Sequence, residues 1–203
     1  MLKDLLTFIK KNFIHKFMKI KVFADTICGW CFIGQARLNK ALKNFPKTKF
    51  EIEHAPFQLN PDMPKEGIER GKYLEIKFGG KELAQPMYDQ MTIEAKKEGL
   101  NFDLDKIKKT PNTVFSHLLI KLAEQTNVHN EVKEKIYNSY FIDGHNIGDK
   151  EILINIGKEF AQPMYDQMTE EAKKEGLNFN LDNIKKTPNT VFSHLLIKLA
   201  KQL

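Results

Sequence analysis

Cys28 and Cys31 enclose Gly29 and Trp30, and they are the only cysteines in the 203-residue chain. Two sulfurs three residues apart on a helix share one face, near enough to form and reopen a disulfide. Spacing alone leaves three readings: a redox pair, half of a zinc site, or two inert buried thiols. Zinc takes four ligands, and the sequence has no second CxxC. The flanks favour the redox reading. Ile20, Val22, Phe23 and Ala24 read as a short buried strand, and Phe32, Ile33, Ala36, Leu38, Ala41 and Leu42 recur at a helical period. The cysteines then fall in the first turn of that helix, where unpaired N–H groups and the positive end of the dipole favour an anion. A thiolate at position 28 is expected to form more readily than on a free cysteine, whose pKa is about 8.5. Trp30, the only tryptophan, either packs or forms part of a docking surface.

The elements that must hold this turn can be read in order. Residues 1–17 carry Leu2, Leu5, Leu6, Ile9, Phe13 and Phe17 on one helical stripe, an amphipathic extension before a second start at Met18. LLTFI is too short for the core of a secretory signal, so a cytoplasmic location is expected. Phe50, Ile52 and His54 alternate with Glu51 and Glu53 as a half-buried second strand, His54 being a strand residue rather than a ligand. Helices are expected over 69–81, ending at Gly79-Gly80, and over 82–99, the latter amphipathic after Pro86, with Met87, Met91 and Ala95 inside and Gly99 as the stop. Asn101 to Lys109 reads as an irregular link with Phe102 and Leu104 buried. A helix starting at Thr110-Pro111-Asn112-Thr113 would bury Val114, Leu118, Leu119 and Leu122. Further helices span Val128 to Tyr140 and, capped by Asp149, Lys150 to about Phe160. The net charge of +6 is spread along the chain, with no interleaved aromatic platform for nucleic acid. No run of about 18 apolar residues suggests a membrane span.

With these residues in hand, a resemblance emerges. ADTICGWCFIGQARLNKAL (24–42) resembles the active-site segment of the DsbA-like thioredoxin-fold family, in its cytosolic FrnE-type branch. That branch is similar to the 2-hydroxychromene-2-carboxylate isomerases and kappa-class glutathione transferases. Glu53 to Gly67, Thr110 to Ala123 and Phe141 to Glu159 resemble later segments of the family, in order. The resemblance implies an α/β, predominantly helical chain. A thioredoxin-like half at 18–61 would be followed by a large inserted helical domain at 62–160. It implies a thiol–disulfide oxidoreductase in which Cys28 attacks and Cys31 resolves, with Gly29 and Trp30 setting the potential and the docking surface. Its partners would be protein or small-molecule thiols and disulfides. Asn60 would come near the reactive cysteine, and Asn112 and His117 would line a substrate cleft, although His117 also reads as a packing residue. No bound cofactor is implied except glutathione, the cosubstrate of the isomerase and transferase branch, where a single nucleophile suffices. Cysteine at both 28 and 31 argues against that branch. Oligomeric state is not implied.

Residues 161–203 break the pattern. Positions 161–202 copy 84–125 with four changes, Ile93→Glu170, Asp103→Asn180, Lys106→Asn183 and Glu124→Lys201. Two copies of a mid-domain segment are not a solenoid. The family's fold continues after the insert with two strands and a helix, the first strand opening at a cis-proline. No such segment follows Glu159, and Thr187-Pro188 is the copied helix start. The expectation is a sheet with two of the family's four strands, an open edge and an uncovered apolar face. A stripe of Met164, Met168, Leu195, Leu196 and Leu199 in the copy would cover that face or compete with the first copy for its groove. The Glu170 change suggests a wetter setting for the copy. A third functional reading follows, a non-enzymatic remnant left by duplication.

Overall fold

The computed structural model describes residues 16–174 and Gly176. The chain divides into two units, residues 1–158 and 159–203. In the first, strand β1 (Lys16–Ala24) leads through a turn into helix α1 (Gly29–Leu42), which returns the chain to strand β2 (Thr48–Pro56). The strands pair in parallel, Lys16 opposite Thr48 through Ala24 opposite Pro56. A parallel pair needs a crossover of this kind, and a helix supplies it. On one face Lys19 bridges Glu51 and Glu53, at 3.1 and 2.9 Å, and Lys21 bridges Glu53 at 2.9 Å.

β1 departs from the expected short buried strand. It begins at Lys16, so Phe17 belongs to a strand and not to an N-terminal helix; the rest of the expected stripe lies outside the described residues. Ile20 and Val22 are half-buried and Phe23 is 63% exposed. The cause is the narrow sheet. Among the described residues it has two strands, and β1 pairs only with β2.

Two-residue strands β3 (Ile68–Glu69) and β4 (Lys109–Thr110) pair antiparallel around the helical part of the unit. Between them lie α2 (Arg70–Phe78) and α3 (Lys81–Lys97). Gly79, at φ 80°, closes α2 in the left-handed conformation that glycine adopts without a Cβ penalty. α3 begins before Pro86 and carries it in its second turn; Met91 and Ala95 are buried, but Met87 is exposed, against expectation. Phe102 of the following link is buried and Leu104 is only half-buried. Helices α4 (Val114–Ala123), α5 (His129–Phe141) and α6 (Lys150–Lys174) complete the described chain. The core lies where α1 meets α5 and the link. Phe32 stacks on Tyr137 at 4.7 Å between ring centroids, and Phe102 stacks on Phe141 at 4.8 Å. Val132, Ile136 and Ile147 fill around them.

α4 turns a different face inward from the one its leucines suggest. Ser116, Ile120 and Ala123 are buried, whereas Val114, Leu118 and Leu122 are exposed. Periodicity favours the leucine face, with Ser116, His117 and Lys121 on the other side, so the buried face is set by tertiary contact against the pattern of the helix itself. A buried hydrogen bond between the Ser116 and Thr26 hydroxyls, at 2.7 Å, goes with the close approach of its small-residue side to the cysteine turn. The helix also starts later than expected, at Val114, whose N–H donates to Asn112 Oδ1 at 3.0 Å.

α6 continues past Phe160 into the copied segment. In the second unit the copy of α3 is again helical, and Gly176 (φ 75°) ends it as Gly99 (φ 80°) ends α3. Glu170 pairs with Lys173 at 2.7 Å and is exposed, but Ile93 is exposed as well. The Ile93→Glu170 change therefore reports no difference in setting. The remaining copied positions, with Leu195, Leu196, Leu199 and Thr187-Pro188, lie outside the described residues.

Candidate active site

The cysteine turn is a tight one. The Cys28 N–H donates to the Asp25 carbonyl at 3.1 Å, and the N–H groups of Cys31 and Phe32 donate to the Cys28 carbonyl. Cys28 is thereby the N-cap of α1, with extended φ and ψ of −94° and 102°. Its Sγ accepts the Cys31 N–H at 3.2 Å, which fills the role an N-cap oxygen usually has. The pair is bonded as a disulfide, Cα atoms 5.1 Å apart. Both cysteines are half-buried, so an incoming sulfur can reach them.

Gly29 and Trp30 part company between the two sulfurs. Gly29 is buried; a Cβ there would run into Met91 Sδ and come within 3.3 Å of the Phe102 and Phe141 rings. The side on which a Cβ would stand faces core packing. Trp30 is 41% exposed. Phe57 and Leu59, which follow β2, are exposed as well.

Beneath the turn lies an acid that the sequence reading did not single out. Asp25 is buried, its Oδ2 accepts the Leu59 N–H at 2.7 Å, and its Oδ1 lies 3.3 Å from His117 Nε2. The same His117 nitrogen lies 3.1 Å from the Phe57 carbonyl. Tyr137 donates its hydroxyl to the Asp25 carbonyl at 3.3 Å, and burial raises the pKa of that hydroxyl well above its ordinary value. Asp25 thus ties the turn to the end of β2, to α4 and to α5. The available signal was an acid directly after the apolar Val22-Phe23-Ala24 end of β1 and three residues before Cys28. His117 is brought to this cluster. Asn60 and Asn112 are not: Asn60 bonds Tyr73 at 3.4 Å and Lys77 at 3.0 Å on α2, and Asn112 donates to the Met63 carbonyl at 2.7 Å.

A strand, a capped CxxC turn, a crossover helix and a parallel second strand, with a helical insert behind them, form half of a thioredoxin-like frame. The model of the DSBA-like thioredoxin domain family matches residues 19–162. The chain belongs to this family. Its fold is accordingly thioredoxin-like, α/β and mostly helical. It is 26% identical over 140 residues to the uncharacterized protein YwbO of Bacillus subtilis (strain 168), covering 69% of this chain and 64% of that protein. The structure of a probable DsbA oxidoreductase from Streptomyces coelicolor aligns with a TM-score of 0.61 and 29% identity over 68% of this chain and 61% of its own. A protein disulfide isomerase candidate from Nitrosomonas europaea shares the fold at a TM-score of 0.50 and 11% identity, covering 70% of this chain and 64% of its own. The chain therefore spans less than two-thirds of the length of these relatives. Among the described residues no helix is long and apolar enough to cross a membrane.

Proposed function

We propose that the chain is a thiol–disulfide oxidoreductase acting through Cys28 and Cys31. In the reduced pair the Cys28 thiolate attacks one sulfur of a client disulfide. That S–S bond breaks, a mixed disulfide forms, and the client's other sulfur leaves as a thiolate. The Cys31 thiolate then attacks Cys28 Sγ, closes the pair and releases the second client thiolate, so two electrons have moved to the client. The reverse sequence oxidises a dithiol. The observation that carries this reading is the position of Cys28 at the helix N-cap, its Sγ accepting an N–H that would favour a negative sulfur.

Asp25 and His117 act as positioning residues, fixing the turn from below. Trp30, Phe57 and Leu59 offer an apolar surface for a polypeptide client. Asn60 and Asn112 serve by anchoring loops through their hydrogen bonds to α2 and Met63. In a reducing cytoplasm the pair rests as a dithiol, and the chain works as a reductase of the FrnE-type branch, with glutathione as a source of electrons rather than a bound cofactor. A thiol-reductase assay on the full chain and on Cys28→Ser tests the reading; equal rates remove it. Tight glutathione binding that Cys31→Ser leaves unchanged would move the chain to the isomerase and transferase branch.

A further inference from the structure

The exchange reaction leaves unused a set of polar groups beneath the cysteine turn. Ile27 and Gly29, the chain neighbours of Cys28, line a small cavity together with Arg70, Tyr73, Tyr88 and Tyr140. Arg70 Nη1 donates to the Thr110 hydroxyl at 3.0 Å, and its guanidinium lies 5.4 and 5.2 Å from the ring centroids of Tyr73 and Tyr88. No carboxylate pairs with it among the described residues. The adjacent Glu69 carboxylate instead accepts the Lys72 N–H at 2.9 Å, capping α2. Arginine carries five N–H donors in a fixed fork, and the Thr110 and Tyr88 hydroxyls leave part of that fork open.

Tyr140 is the second, independent sign. It is 1% exposed, and its hydroxyl makes no well-formed hydrogen bond among the described residues, only a weak interaction with the Thr110 hydroxyl. Burial pushes that hydroxyl up to about 12, so it is a donor at neutral pH. Buried polar groups are costly unless something completes them. Arg70 and Tyr140 both line one cavity, and among the described residues neither has a negatively charged acceptor.

We propose that this cavity binds a carboxylate of the disulfide substrate, held by Arg70 and Tyr140 while the substrate's sulfur meets Cys28. A guanidinium takes a carboxylate with two parallel hydrogen bonds. The Tyr73 and Tyr88 faces hold its plane in place. Arg70, Tyr88 and Leu104 also line a larger groove whose other charged residues are Glu69, Asp89, Asp103 and Asp105 against Lys81 and Lys108, so only the Arg70 end favours an anion, and the carboxylate held there can belong to a peptide or to a small thiol acid. The inference rests on the exchange reaction proposed above and adds the class of substrate to it.

Two measurements on the full chain test it. In the first, propionate and propionamide are titrated into the Cys28→Ser protein by NMR. Propionate is expected to bind at least ten-fold tighter than propionamide. Arg70→Gln and Tyr140→Phe weaken propionate binding, and Tyr140→Phe does so with little loss of thermal stability, because its hydroxyl makes no well-formed hydrogen bond in the folded chain. In the second, kcat/KM is compared for 3,3′-dithiodipropionate against bis(2-hydroxyethyl) disulfide, and for peptide disulfides with Glu against Gln beside the cysteine. The acidic member of at least one pair is favoured, which identifies the source, and Arg70→Gln lowers that preference at least ten-fold, mainly through KM. Equal binding of propionate and propionamide, or a substrate preference untouched by Arg70→Gln, overturns the proposal. A chain that reacts with no disulfide overturns the exchange reaction instead, and the propionate titration then decides the cavity alone.

Discussion

Replacing Gly29 and Gly34 by alanine in separate variants separates packing from propensity within one helix. Both residues lie in α1. At Gly34 a Cβ would meet nothing within 4 Å among the described residues, so Gly34→Ala gains helix propensity alone, about 1 kcal/mol in a helix interior. At Gly29 a Cβ overlaps Met91 Sδ and sits 3.3 Å from Phe102 Cε2 and Phe141 Cε1. Overpacking of this kind costs about 1–3 kcal/mol. The methionine can yield more readily than the two rings, since a thioether chain has several soft torsions and the rings are stacked on each other. The first helical position gains less propensity than an interior one, so Gly29→Ala is expected to destabilise by about 1–2 kcal/mol net. The two variants should therefore move apart by about 2–3 kcal/mol on the same scale. Urea unfolding of the oxidised protein reads this as midpoint shifts of opposite sign at constant m. Gly29→Ala combined with Met91→Ala should recover part of the Gly29 loss against the Met91→Ala background. If both single variants shift the midpoint in the same direction by similar amounts, the packing account of Gly29 is wrong, and its role would have to be sought at the surface.

Two further outcomes follow from features of the same unit. On α4, Ile120→Ala should cost about 2–5 kcal/mol, while Leu122→Ala, at a position 60% exposed, should stay within about 0.5 kcal/mol; a reversed order in urea midpoints would restore the face suggested by the leucines. Lys133 is 5% exposed, and burial lowers its pKa to about 7; His54, which its Nζ touches, is lowered by burial to about 4. In both cases the unfolded chain binds more protons than the folded one, so stability should rise with pH from about 4 to 6.5 through His54 and from about 7 to 10.5 through Lys133. Unfolding midpoints measured across these windows should lose the upper rise in Lys133→Met, and a wild type flat across the upper window contradicts the buried-lysine account.

Local chemistry makes the redox turn legible in the sequence. The change from strand alternation to helical period around Cys28 and Cys31 depends on neighbours within a few residues, and so do the glycine stops at Gly79 and Gly99. The copied segment makes the point twice: the same residues form a helix ended by a left-handed glycine at both Gly99 and Gly176. Where the sequence reading went astray, the deciding contact was distant. The leucines of α4 mark one apolar side, and the side it buries instead goes with a hydrogen bond between the Ser116 and Thr26 hydroxyls, 90 residues apart.

The CxxC pair, its place at a helix start and its family were determined by sequence alone, because spacing and period are properties of adjacent residues. Only the tertiary structure decided that Gly29 faces the core, that Asp25 fastens the turn through Leu59 and His117, and that Arg70 and Tyr140 line one cavity with Ile27 and Gly29. Each of these joins residues far apart along the chain, and such proximity is set by how the helices pack rather than by the period of any one of them.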